Sequence, residues 1–170
     1  YTVDFFGGEP LLKIDLIDKI CNYFLKKAVA LHHRWQYFYS ILITSNGTEY
    51  FTPLVRQFAL KYKGRLTLAI TIDGNKALHD SCRKYPDGRP SFDKVDKAFR
   101  DALNNNFNNT TKLTISRENL PYLVDAIKNL LQYPNLSNIF ANTVFEAKWT
   151  IDDAKMFYNE LKKLADYIIA

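Results

Sequence analysis

The chain has 170 residues, of which 47% are hydrophobic and 15% aromatic, and its formal net charge is +5. This composition excludes an intrinsically disordered chain and suits one domain with a hydrophobic core. The Lys and Arg residues are scattered over helix-like segments without forming a basic stripe, so we expect no nucleic-acid binding. No apolar run approaches the roughly 20 residues that a membrane span needs, and we expect neither a membrane segment nor a signal peptide.

The two cysteines, Cys21 and Cys82, lie more than sixty positions apart. They fit no zinc, haem or iron–sulfur spacing, which predicts free thiols in a reducing, cytoplasmic compartment and no metal ligands. The first residue is Tyr1 and not Met, and the residues that follow it already have the pattern of a strand. We therefore interpret the chain as an excerpt of a longer protein.

Apolar runs typical of strands alternate with segments of helical periodicity. The predicted strands are Thr2–Phe6, Phe38–Thr44, Leu66–Ile72, Lys112–Ile115 and Asn138–Val144. The predicted helices cover about Asp15–Arg34, Thr52–Tyr62, Phe92–Asn105, Leu120–Gln132 and Ile151–Ile169. This order predicts a single α/β domain over residues 1–170, with a parallel sheet and crossover helices.

Two further features of the pattern are local. Thr150 followed by Asp153 resembles a capping box and predicts the start of the last helix. Gly74–Ser91 is the one long stretch that we expect to be irregular, and such a connection in a compact domain is functional or mobile.

The first predicted strand ends in Gly7, Gly8, Glu9 and Pro10. In parallel α/β folds, ligands bind at the carboxyl ends of the strands. The glycines allow a ligand to approach the main chain, and the proline disfavours helix at the preceding residue and holds it extended. The stretch has two readings: a site for a cationic group, or a tight strand-to-helix turn with a solvated glutamate.

The other predicted strands also end in small polar or acidic residues. These residues are Ser45 and Asn46, Thr71 and Asp73, Thr114 and Ser116, and Glu146. Each has a plain interpretation as a helix cap or a turn. Together they would line a polar pocket at one rim of the sheet.

Several of these stretches resemble motifs of radical S-adenosylmethionine (radical SAM) enzymes. The segment FFGGEPLL resembles their GGEP motif, and TSNGT resembles the TNGT turn of the SPASM-type branch, which includes anaerobic sulfatase-maturating enzymes and peptide maturases. TIDGNKALHDSCR with GRPSFDKV, then LTISRENLPYL and ANTVFEAKWT, resemble the following stretches of that branch in the same order. The resemblance covers Tyr1 to about Tyr167.

The resemblance implies a partial TIM-type (β/α) barrel, comprising about the second to sixth βα units of a radical SAM core. It implies that Gly7, Gly8 and Glu9 contact the amino end of S-adenosylmethionine (AdoMet). Thr71, Arg83 and Ser116 would serve the carboxylate and ribose, with Arg83 open to the alternative of a surface arginine in a loop. Asp73 and His79 are expected to order that loop, and no catalytic residue is assigned.

The chain departs from the family in one respect: it lacks the CxxxCxxC loop that holds the 4Fe-4S cluster. In the intact enzyme, the cluster and AdoMet would generate a 5′-deoxyadenosyl radical that modifies a peptide or protein substrate. For the excerpt alone we expect no activity and no tightly bound cofactor. The alternative is a cofactor-free α/β binding module that kept the scaffold. In either case the unpaired edge of Thr2–Phe6 predicts self-association through this edge, or occlusion of the edge by another segment.

Overall fold

The computed structural model describes all residues from 1 to 170 and contains five strands and six α-helices. The strands are β1 (Thr2–Phe5), β2 (Ser40–Ser45), β3 (Leu66–Thr71), β4 (Thr110–Ile115) and β5 (Asn138–Thr143). The helices are α1 (Ile14–Ala30), α2 (Pro53–Lys61), α3 (Lys76–Cys82), α4 (Phe92–Asn104), α5 (Leu123–Leu130) and α6 (Ile151–Ile169). Short 3-10 turns cover Pro10–Lys13, Arg34–Gln36 and Leu120–Tyr122.

The strands form one parallel sheet in chain order, β1 to β5, which curls into a half-barrel. The α/β class and the partial TIM-type barrel are thereby confirmed. The residues of β2 alternate between two environments, as a pleated strand requires. Ile41 and Ile43 are buried under the helices, whereas Leu42 and Thr44 face the concave side.

Two hydrophobic clusters hold the helices on the sheet. The larger one contains 23 buried residues, mostly from β2, β3, α1, α2 and α4, and includes Phe99 and Phe107. The smaller one has five, including Leu113 and Leu120, and lies under α5. The apolar core is therefore continuous beneath β2 and β3 and thinner at the β4–β5 end.

Helix α3 corrects the prediction that Gly74–Ser91 is irregular throughout. Asn75 accepts a hydrogen bond from Leu78 N (3.0 Å) through its side chain and so caps this seven-residue helix. The remaining part contains a small hairpin in which Lys84 and Pro90 form an isolated antiparallel β-bridge. The stretch is too short and too rich in glycine and proline to show helical periodicity.

Element boundaries otherwise agree with the predictions to within a few residues, and the Thr150–Asp153 capping box is present. The first helix is shorter than predicted because it ends at Ala30, and His32 has φ +48°. A positive φ terminates a helix. No helix is both long enough and apolar enough to cross a membrane.

Candidate functional site

The chain leaves β1 through Gly7 and Gly8, at the carboxyl edge of the sheet. Gly7 has φ +91° and Gly8 has φ +55°, and a side chain strains the backbone in this region. A Cβ built on either glycine would meet no atom within 4 Å. The two glycines therefore leave open main chain that a ligand can approach.

Glu9 follows the glycines, and its side chain links the end of β1 to the end of β2. Its backbone is extended (φ −129°, ψ 100°), as the following Pro10 favours. Its Oε1 accepts from Leu11 N (3.1 Å) and Ser45 Oγ (2.7 Å), and its Oε2 accepts from Asn46 N (2.8 Å). The carboxylate thus caps the following 3-10 turn and holds the end of β2.

The turn after β2 is closed by its own side chains. Ser45 Oγ accepts from Gly47 N (2.9 Å), and Asn46 Oδ1 accepts from Thr48 N (2.9 Å) and Thr48 Oγ1 (2.8 Å). Gly47 has φ +77°, and a Cβ there would lie 2.8 Å from Ile70 Cγ2. Only glycine fits this position without displacing the core.

Asp73 lies just beyond β3 and is 2% exposed. Its Oδ1 accepts from Thr114 N (2.9 Å), and its Oδ2 accepts from Arg83 Nε in an ion pair. Arg83 also donates from a terminal nitrogen to Thr114 Oγ1 (3.0 Å). Only two residue pairs, ending at Thr71 and Lys112, connect β3 to β4, so the side chains of Asp73 and Arg83 continue the connection where the ladder stops.

His79 is fully buried beneath this ion pair. Its Nδ1 accepts from Asp73 N (3.3 Å), and its Nε2 bonds to Ser91 Oγ (3.1 Å). Ser91 Oγ donates its proton to Arg83 O (2.9 Å), so Nε2 carries the imidazole proton and donates. Burial lowers the pKa of His79, against the opposing effect of Asp73. The ring is a neutral strut that orders the loop.

A pocket of about 430 Å³ opens between the Glu9 turn, the β2 turn and the loop after α3. The residues lining it are Glu9, Leu12, Asn46, Thr48, His79, Cys82, Arg83, Lys84, Tyr85, Pro86 and Ser91. Of the six residues predicted to bind the cofactor, it brings together two, Glu9 and Arg83. Gly7 and Gly8 precede Glu9 in the same turn but do not line the pocket.

Thr71 and Ser116 do not line this pocket either. Thr71 is buried at the end of β3. Ser116 forms a closed turn with Asn119: its N donates to Asn119 Oδ1 (2.7 Å), and Asn119 N approaches its Oγ at 3.4 Å. Asn119 thus bonds back to Ser116 and forms no side-chain cap on the turn that follows.

Lys84, Tyr85 and Pro86 are pocket residues that the sequence reading did not single out. They belong to the hairpin closed by Tyr85 N donating to Arg89 O (2.9 Å). The signal available in the sequence was only the Asp87–Gly88 turn, which predicts a hairpin but not what it covers.

The two cysteines do not meet. Cys21 is buried on α1, Cys82 is exposed at the end of α3, and both are free. Burial raises the pKa of the Cys21 thiol to about 11, which disfavours the thiolate that a metal requires. No three His, Cys, Asp or Glu side chains cluster closely enough to hold a metal ion. The residues present therefore do not fit a 4Fe-4S cluster, whereas the open Gly7–Gly8 turn fits a ligand that binds main chain.

No family model matches the chain. An uncharacterized protein of Methanocaldococcus jannaschii is 27% identical over 134 residues, which cover 77% of this chain and 42% of that protein. The chain therefore spans less than half the length of this curated relative.

Two solved structures of anSMEcpe, an anaerobic sulfatase-maturating enzyme of the radical SAM SPASM type, have the same fold. The native enzyme with bound AdoMet and the Kp18Cys peptide superposes with a TM-score of 0.74 at 17% identity over 98% of this chain and 46% of that one. The tagged enzyme with bound AdoMet gives 0.75 at 18% over 98% and 45%. The resemblance read from the sequence is thereby confirmed at the level of the fold.

Proposed function

We propose that this chain is part of a radical SAM enzyme, about the second to sixth βα units of its core, and that it receives the methionine end of AdoMet. The observation that carries the proposal is the open main chain of Gly7 and Gly8 at the carboxyl rim of the half-barrel. The fold shared with AdoMet-bound structures supports it. The free thiols of Cys21 and Cys82 favour a reducing, cytoplasmic setting.

In this proposal, the main-chain carbonyls of Gly7 and Gly8 receive the ammonium of AdoMet, and Glu9 belongs to the same end of the site. Arg83 directs its remaining guanidinium donors at the carboxylate, because Arg pairs well with carboxylates. The hydroxyls of Thr71 and Ser116 bind the carboxylate and ribose of AdoMet. In the intact enzyme, bound AdoMet would supply the 5′-deoxyadenosyl group for the radical chemistry, and the residues of this chain would orient it.

The substrate is proposed to be a peptide or protein. Support comes from anSMEcpe, which was crystallised with a bound peptide. The two cysteines fit no cluster, so this chain contributes a cofactor cradle and is inactive by itself.

A second candidate is a cofactor-free binding module on the same scaffold. It is favoured by one observation: the polar groups of Glu9, Arg83 and Ser116 already have partners within the protein. The two candidates differ in whether the protein carrying this chain contains CxxxCxxC ahead of β1 and in whether AdoMet binds.

Titration of the chain with AdoMet, followed by calorimetry or NMR shift mapping, tests the proposal. Charge-assisted hydrogen bonds contribute about 1 to 3 kcal/mol each, while association costs at least about 4 kcal/mol. We therefore expect binding no tighter than roughly millimolar, with shifts at residues 7–9 and 71–83.

Gly8→Val should abolish this binding, because the backbone at φ +55° excludes a β-branched residue. Gly64→Val is the matched control: Gly64 has φ +81° and an equally open Cβ position, but it precedes β3 at the opposite end of the sheet. If both variants bind AdoMet alike, or if the shifts lie elsewhere, the proposed site is wrong.

A further inference from the structure

The main chain at Gly7 and Gly8 is not held in place by main-chain hydrogen bonds. Outside the helices and strands, none of the main-chain hydrogen bonds involves either residue. Neither glycine has a side chain to pack, and glycine has the largest conformational freedom to lose. The position of these two peptide groups must therefore be set by the residues on either side.

On the upstream side the turn is continuous with Phe5 of β1 through Phe6, which is 76% exposed and contributes little packing. On the downstream side lies Glu9, whose carboxylate accepts three hydrogen bonds. Two of these come from the β2 turn, 36 and 37 positions away in the chain. Glu9 is thus the side chain that fixes the diglycine segment to the rest of the rim.

The other end of this attachment is rigid. Ser45 is 2% exposed, and its Oγ, besides donating to Glu9, accepts from Gly47 N at 2.9 Å. Gly47 is packed against Ile70 so closely that a Cβ would not fit. Glu9 therefore bonds a segment without main-chain hydrogen bonds of its own to a closely packed turn.

We propose that the Glu9 carboxylate is a positioning group. It holds the Gly7 and Gly8 carbonyls in place by bonding Ser45 and Asn46, and it acts on a bound ammonium through that main chain and not by direct contact. This inference rests on the proposed function for the identity of the ligand. A carboxylate has about four lone-pair positions, and three are taken by protein donors.

A change at Ser45 separates the two possible roles of Glu9, action through the β2 turn and direct contact with the ammonium. Ser45 carries no charge and does not line the pocket, so removing its hydroxyl changes no direct contact with a ligand. If Glu9 acts through the β2 turn, removing the Ser45 hydroxyl should have the same effect as altering Glu9. If Glu9 contacts the ammonium itself, only the change at Glu9 should weaken binding.

The test uses the 170-residue chain with four variants. Glu9→Gln keeps the size of the side chain but replaces one acceptor oxygen with a donor that faces the Ser45 or Asn46 donor. Ser45→Ala removes the hydroxyl, and Ser45→Thr restores one as the rescue variant. Ser137→Ala is the matched control, because Ser137 is an exposed serine beside β5 at the opposite end of the sheet.

The first measurement is the ¹⁵N order parameter of Gly7 and Gly8 without ligand. We expect values near 0.85 in the parent chain, Ser45→Thr and Ser137→Ala, and values below about 0.6 in Glu9→Gln and Ser45→Ala. Unchanged order parameters in Ser45→Ala, with the chain folded, would overturn the positioning role. This measurement does not depend on AdoMet binding.

The second measurement is AdoMet affinity by NMR titration. In Glu9→Gln and in Ser45→Ala the two glycines must be ordered again when AdoMet binds, so the affinity for AdoMet should fall about tenfold. The double variant should bind AdoMet no more weakly than either single variant. Parent-like affinity in Ser45→Ala with weakened affinity in Glu9→Gln would show direct contact and overturn the inference. Absence of any AdoMet shift in the parent chain would instead refute the proposed function, and the order parameters would still decide whether Glu9 positions the turn.

Discussion

Asp73 and Arg83 form an ion pair in which the carboxylate side chain is 2% exposed and the guanidinium side chain 30% exposed. The pair fixes the loop after α3 against Thr114 of β4, where β3 and β4 have ceased to pair through their main chains. An arginine that the sequence assigns to a ligand is thus first a link between two strands, and only its remaining donors face the pocket.

We expect Asp73→Asn to lower the free energy of unfolding by about 2 to 3 kcal/mol, because it leaves Arg83 without its counter-charge at a largely buried site. Urea denaturation measures this. Asp87→Asn is the control, since Asp87 pairs with Arg89 at the surface, and such pairs contribute about 0 to 1 kcal/mol. Equal losses in the two variants would contradict the structural role of the Asp73–Arg83 pair.

Protonation of His79 should destabilise the fold at mildly acidic pH. Burial lowers its pKa in the folded state, so the unfolded chain takes up the proton first. Its contribution to stability is therefore present above the ordinary value of 6.5 and is lost as pH falls through the lowered value. Asp153, whose pKa is lowered by hydrogen bonds from Thr150, titrates below that window.

The free energy of unfolding, measured by urea denaturation between pH 8 and pH 5, checks this. His79→Gln should flatten the fall below pH 6.5, and His32→Gln, a change at an exposed residue, should keep it. A parent-like pH profile in His79→Gln would refute the assignment to His79.

The open edge of β1 should mediate self-association. β1 pairs with β2 alone, and the register Thr2↔Ser40, with Ser40 N donating to Tyr1 O, turns the amides of Thr2 and Asp4 towards the open side. Asp4→Pro removes one of those amides without breaking the existing ladder. Sedimentation should show a concentration-dependent oligomer in the parent chain and a monomer in the variant; a parent monomer at all concentrations would refute this.

Anaerobic reconstitution with iron and sulfide should leave the chain without a stoichiometric cluster, because its two cysteines lie on separate helices and one is buried. Cys82→Ser should retain the same background iron as the parent. Four irons and four sulfides per monomer, with the sample shown by sizing to be monomeric, would contradict the expectation.

The parts of the fold that follow local rules were predictable. The last helix has its predicted bounds, Ile151–Ile169, because a capping box marks its start within four residues of sequence. The extended backbone at Glu9 follows from the proline after it. The polar rim also follows from a general rule, that parallel strands end at one edge.

The parts that depend on distant partners were not predictable. The bond from Ser45 to Glu9 spans 36 positions, and the bond from Thr114 N to Asp73 spans 41. Nothing in the neighbourhood of these residues in the sequence indicates which donor satisfies which carboxylate. The sequence pattern therefore identifies residues at the rim, and the fold alone decides which of them are bonded within the protein.

Helix α6 buries only one of its nineteen residues, Glu160, whose Oε2 accepts from Val124 N (3.3 Å) at the start of α5. Its other contacts include the ion pair from Arg117 to Asp153, the partly buried Phe157, and Lys128 of α5 over the Tyr167 ring at 4.4 Å. A long helix held at so few points exchanges its amide protons through local detachment more readily than through global unfolding. We therefore expect the C-terminal segment to behave as a separable unit, which a protease can remove while the five-stranded sheet stays folded.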